Sequence, residues 1–179
     1  MKKIVLVIFY AIFFIGCFTK VGTKSEGFNG IIDTSIYIAQ PNDLTSDKGP
    51  IKGSGTEFLY YLKKHLNERA AGRLRVVTTE NVAPSSDNVI SDVFTRAKTS
   101  GAEYLLVIKL GEIYDAYPLT PFVNDYVSIK EGMLYRLKDN KVVWQATPSL
   151  KALGSNIGNA KRLLDHLAMK VSESIIEKE

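Results

Sequence analysis

Cysteine is nearly absent from this chain: 179 residues hold one, Cys17, so no internal disulfide can form and no cysteine-histidine set exists to bind zinc. Histidine is almost as scarce. The two present, His65 and His166, lie far apart, each flanked by charged residues on a stretch with helical spacing, and read as solvated surface groups rather than a catalytic pair. An excess of one charge is missing too. The formal net charge is +4, Lys and Arg are interspersed with acids, and Lys2 and Lys3 supply part of the surplus, so nothing marks a nucleic-acid binder. Nucleotide and hydrolase signatures are also lacking. Gly53-Ser54-Gly55 precedes a helix start but has no Gly-Lys-Ser/Thr, and Gly154-Ser155-Asn156-Ile157-Gly158 puts its serine in the wrong place for a nucleophile elbow. Acidic residues such as Asp33, Asp43, Asp47, Glu112 and Asp115 read as solvated loop charges. No cofactor or metal is expected, and the chain does not read as an enzyme.

What is present begins at the N-terminus. Lys2 and Lys3 precede an apolar run from Ile4, which ends in Phe14-Ile15-Gly16-Cys17. The uncharged stretch to Phe18 reaches about 22 Å as a helix, short of the ~30 Å hydrocarbon core, so it reads as an export signal rather than a permanent span. The end of the run resembles the bacterial lipobox, in which a small residue precedes a cysteine that is diacylated and becomes the first residue of the mature chain. Gly16 and Cys17 match, whereas Phe14 replaces the usual Leu and Ile15 the usual Ala or Ser. Residues 1–16 are therefore expected to be a lipoprotein signal peptide. Residues 17–29 form a lipidated start and short polar tether, and 30–179 one globular domain. Phe18 and Thr19 lack the aspartate that resembles an inner-membrane retention signal. The expected location is the outer membrane, with the domain in the periplasm; the alternatives are the cell surface and the inner membrane.

Along the domain, hydrophobic period alternates between that of strands and that of helices. Segment 30–39 is β-branched and reads as a first strand, and 40–56 as a long Gly/Pro loop that is functional or mobile. Phe58, Leu59, Leu62 and Leu66 then share one helical face, closed by Gly72. Leu74 to Val77 is a short strand, and Ser85, Ser86 and Asp87 offer an N-cap for a second helix carrying Ile90, Val93, Phe94 and Ala97. Tyr104-Leu105-Leu106-Val107-Ile108 is unbroken apolar, as a central strand buried on both faces would be. Val127 and Ile129 alternate out of phase with Met133, Tyr135 and Leu137, which places a β-bulge at Glu131-Gly132. Lys138 to Lys141 turns into Val142-Val143-Trp144, and Ala160 to Ile175 repeats at helical spacing. The resulting fold class is α/β (α+β): one mixed sheet of about five strands flanked by about three helices, in the order β-α-β-α-β-β-β-α.

The helix end Ser100-Gly101-Ala102, the apolar strand after it and the hairpin bearing Lys141-Val142-Val143-Trp144 form a recurring pattern. It resembles that of periplasmic lipoproteins with the fold of the amino-terminal domain of the Tol system's propeller protein. Relatives by fold are the outer-membrane activator of a penicillin-binding protein and the curli-secretion lipoprotein. The resemblance implies the fold and an envelope setting. The activator's long Pro-rich tether has no counterpart here, so its activity is not carried over.

The connector 112–126 packs three tyrosines, a phenylalanine and two prolines into fifteen residues. Aromatic rings on a stiffened loop supply contact area at low entropic cost, so Tyr117, Pro118, Leu119 and Phe122 are the candidate partner-binding residues; the competing expectation is that these rings fold back onto the sheet. The sequence thus reads as a lipid-anchored, non-catalytic adaptor or assembly subunit of the cell envelope, with an envelope protein as partner and oligomerisation open. The alternatives are a lipoprotein that binds a small ligand or cell-wall fragment, and an envelope hydrolase.

Overall fold

The computed structural model describes residues 22–78, 89–114, 125–147, 150–154 and 160–176. The chain order is β1 (Gly22–Lys24), β2 (Ser35–Ile38), β3 (Leu44–Ser46), β4 (Gly49–Ile51), α1 (Ser54–Arg69), β5 (Arg75–Thr78), α2 (Val89–Thr99), β6 (Tyr104–Tyr114), β7 (Asp125–Arg136), β8 (Lys141–Ala146), β9 (Leu150–Gly154) and α3 (Ala160–Ile175). The class is as the periodicity predicts, and the described residues hold the three expected helices. They form nine strands rather than about five. The extra ones are three- to five-residue pieces, too short to carry an alternating pattern.

The sheet is mixed. Its main path runs β1-β8-β7-β6-β2-β5, with β2 parallel to both β5 and β6 and the other pairs antiparallel. β6 and β7 outrun their neighbours, so the far half of this hairpin acquires edges of its own: Thr45 of β3 pairs with Glu112, and β9 pairs with Asp125 to Ile129. Leu105, Leu106 and Ile108 are buried at the sheet centre, as expected of the unbroken apolar run. The phase change in β7 comes one residue earlier than Glu131-Gly132. Lys109 faces Glu131 but Leu110 faces Ile129, which makes Lys130 the extra residue.

Two helices cover one face and one covers the other. α1 supplies Phe58, Leu62 and Leu66, and α3 supplies Leu164, Leu167, Val171 and Ile175, to a core that includes Ile36, Ile38, Leu106, Ile108, Leu134 and Trp144. Burying each such side chain is worth about 1.5 to 3 kcal/mol. The helices lie side by side and parallel, since Lys161 pairs with Glu57 at 3.3 Å near their starts and Arg69 with Glu173 at 2.6 Å near their ends. Between these pairs, His65 Nε2 and Asp165 Oδ1 are hydrogen-bonded at 2.7 Å. His65 is therefore an interhelical contact, with its side chain 13% exposed, rather than the solvated group its neighbours suggest; His166 is exposed.

Ordering also begins before residue 30, inside the stretch read as tether. Gly22, Thr23 and Lys24 pair antiparallel with Ala146, Gln145 and Trp144, and Ser25 N donates to Val143 O at 2.9 Å. A glycine is needed at the start of this strand, because a Cβ on Gly22 would lie inside the Trp144 indole. That ring is 1% exposed, and its Nε1 finds no hydrogen-bond partner among the described residues. Trp144→Ala should cost about 3 to 5 kcal/mol in denaturant unfolding. Trp144→Phe, which deletes the unpaired N–H, should cost markedly less. Equal losses would show that the N–H has a partner.

Candidate functional site

The candidate interface residues Tyr117, Pro118, Leu119 and Phe122 lie outside the described residues, as does Cys17. What the structure gives is the mount that carries the connector. β6 continues to Tyr114 and β7 starts at Asp125, with Tyr114 and Tyr126 as the last register pair, so these are the longest paired strands among the described residues and the connector joins them in sequence.

The arms of that hairpin are braced from several sides. At the second irregularity, between Leu110 and Ile113, Ser128 Oγ accepts from Glu112 N at 2.8 Å and donates to Glu112 O at 3.1 Å, replacing ladder bonds that the extra residue removes. Asn42 clamps the outer edge of β6 with its side-chain amide: Leu110 N donates to Oδ1 at 2.9 Å, and Nδ2 donates to Leu110 O at 2.9 Å. A side chain here imitates a strand partner. On the other arm, β9 pairs with β7 over five residues, from Asp125↔Gly154 to Ile129↔Leu150.

Asn42 belongs to the Gly/Pro segment, which proves to be an ordered module rather than an open loop. β3 and β4 form a small hairpin closed by Ser46, whose Oγ donates to Gly49 O at 2.9 Å. Asp43 then reaches the start of α1. Its carboxylate accepts from Gly53 N at 3.1 Å and Gly55 N at 2.9 Å, satisfying two of the donors that a helix N-terminus leaves unpaired and matching the positive end of the helix dipole. Ser54 Oγ accepts from Leu44 N at 2.8 Å and donates to Ile51 O at 2.7 Å. Gly55 is required because the Pro41 and Asn42 carbonyls press against the place of its Cβ. The glycines that resemble a phosphate loop thus serve an anion from the chain itself.

The remaining candidate groups do not converge. Asp33 stands 3.7 Å from Arg73, Asp47 and Glu112 are exposed, and Asp115 lies outside the described residues. Among the described residues no group of His, Cys, Asp and Glu is placed to hold a metal ion.

Among the described residues, the sheet face under α2 has less cover than the other. Tyr37, Leu105, Leu137 and Ala97 are buried there, but Val107, Met133 and Tyr135 are only half-buried, and Val142, opposite Tyr135, is 39% exposed. Phe94 meets Tyr135 edge to face, with ring centroids 4.9 Å apart, and the Tyr135 hydroxyl donates to Met133 Sδ at 2.9 Å. Burial, aided by the nearby Glu131 carboxylate, pushes the Tyr135 hydroxyl above its ordinary pKa. Alternation in β7 foretold the split of residues between two faces; nothing in the sequence foretold that one helix would cover so little of the second.

No family model matches the chain, and no curated protein matches it. Among solved structures it is similar to PelC of Paraburkholderia phytofirmans, solved as a dodecamer: 14% identity, 88% of this chain and 99% of PelC covered, TM-score 0.58. Lipoprotein GNA1162 of Neisseria meningitidis is similar at 18% identity over 79% of this chain and 97% of its own, with TM-score 0.49. The C-terminal domain of LpoB from Escherichia coli is similar at 13% identity over 74% and 88%, with TM-score 0.46. The fold expected from the Gly-Ala helix end and the Val-Trp hairpin is the one found. At these identities the likeness is one of fold.

Because Asp43 both caps α1 and ties it to the hairpin brace, Asp43→Ala should cost about 1 to 2 kcal/mol. Hydrogen exchange should accelerate at Gly53 and Gly55 above the rest of the helix. Unchanged exchange there would mean that the carboxylate is dispensable.

Proposed function

We propose that this protein is a lipid-anchored lipoprotein of the bacterial cell envelope, working as a non-catalytic adaptor or assembly subunit. The observation that carries this reading is the bracing of the β6–β7 hairpin. Asn42, Ser128, β3 and β9 stiffen its far half, and in the sequence the aromatic segment with Tyr117, Pro118, Leu119 and Phe122 joins its two arms. A stiff mount lowers the ordering cost of presenting large side chains to a partner. PelC, which shares the fold, was solved as a dodecamer, and a multi-copy assembly of this chain accords with that. The Gly16-Cys17 lipobox supplies the anchor, and Phe18 in place of aspartate favours the outer membrane.

Two experiments test the reading. Intact mass of the protein purified from its own envelope should show acyl mass on a chain starting at Cys17, and Cys17→Ser should leave the detergent phase or accumulate uncleaved. A mature chain without acyl mass would overturn the anchor. Replacing Tyr117, Leu119 and Phe122 together with Ser should abolish recovery of crosslinked partners while the thermal midpoint stays nearly unchanged, since exposed anchors contribute to binding and little to folding. A triple variant that unfolds would assign those rings to the core, and a folded one that keeps its partner would move the interface elsewhere.

A further inference from the structure

The first strand fixes how far the folded body can stand from its anchor. Cys17 precedes Gly22 by five residues, and a chain of that length spans at most about 18 Å when fully extended. The spacer cannot grow by fraying without cost to the core. β1 pairs with β8 at Gly22, Thr23 and Lys24, and its backbone lies directly on the buried Trp144 ring. Lys24 Nζ donates to Asn29 O at 2.6 Å and stands 5.7 Å from the Phe28 ring centroid, securing the strand from the other side. Peeling β1 away would therefore uncover the only tryptophan in the chain.

The rest of the sheet extends away from this corner. β5 lies at the opposite edge, five strand positions from β1, or roughly 24 Å at the usual strand spacing. α1 leads into β5 and so belongs to that far side, whereas α3 packs on β7 and β9. Resting on the reading of Cys17 as acylated, we infer that the domain stands on the lipid surface by its β1–β8 corner. The exposed cross-strand pair Thr23 and Gln145 is nearest the headgroups, with the β5 edge and the last turn of α1 turned away. A tether of five residues makes the bilayer a fixed neighbour of one edge of the sheet.

The test uses the full acylated protein in phosphatidylcholine–phosphatidylglycerol vesicles. Acylation blocks Cys17, so a nitroxide attaches only to an introduced thiol, at Gln145→Cys or at exposed Asn67→Cys on α1. A nickel-chelating lipid relaxes labels that lie near the headgroups. Relaxation should be several-fold stronger at position 145 than at 67, and the difference should vanish when ten Gly/Ser residues are inserted before Gly22. Native Trp144 fluorescence verifies the fold, and Thr23→Cys replaces Gln145→Cys if that variant fails this control. Equal relaxation at both positions in protein that floats with the vesicles would overturn the orientation alone. Protein that does not float would overturn the anchor, and the orientation with it.

Discussion

The ladder between β6 and β7 is the constraint on which the rest of the molecule depends. Every other part of the sheet joins it directly or through one strand: β2 and β3 on the free edge of β6, β8 and β9 on the free edge of β7. The two strands are longer than any one neighbour, so each edge is shared end to end by two short strands. The irregularities at Lys130 and at Gly111-Glu112 mark where one set of neighbours gives way to the other. A bulge at such a junction increases local twist, which lets one hairpin serve two differently inclined sets of neighbours.

The two faces of this sheet are treated unequally. Parallel α1 and α3 seal one face with a continuous set of aliphatic side chains, and their charged pairs lie along the outer seam. Such pairs are worth little individually in water, about 0 to 1 kcal/mol each, so they set the alignment of the helices more than their stability. On the other face, Ala97 is buried and Val93 and Phe94 pack against it, while Val107, Met133 and Tyr135 of the sheet are half-buried. Stability is concentrated on the first face.

Legibility in the sequence followed element length. The sixteen-residue helices repeat Phe58, Leu62, Leu66 and Leu164, Leu167, Val171 often enough for the period to declare itself, and the apolar run of β6 identifies the sheet centre. β1, β3 and β4, each of three residues, have no period to read. They are defined by partners far away in the chain: Gly22 by Trp144, Asn42 by Leu110, Asp43 by the start of α1. The sequence around His65 is silent about its partner for the same reason, since Asp165 lies on another helix. The aromatic content of the connector and the Gly16-Cys17 pair are legible because composition and order alone declare them. The bracing of the strands on either side of the connector is not, because it rests on side-chain amide and hydroxyl groups that stand in for backbone.

The first strand of the domain has a partner that is made almost last. β1 needs β8, and Ile31 N donates to Ile175 O at 2.8 Å, beside its bridge to Ile176, so both N-terminal attachments wait for the C-terminal part of the chain. Contacts of such high sequence separation close slowly, after local elements have formed. The N-terminal strand is therefore the piece that docks late: until β8 and the end of α3 are in place, Gly22 to Lys24 and Ile31 have nothing to pair with, and the two ends of the domain close together.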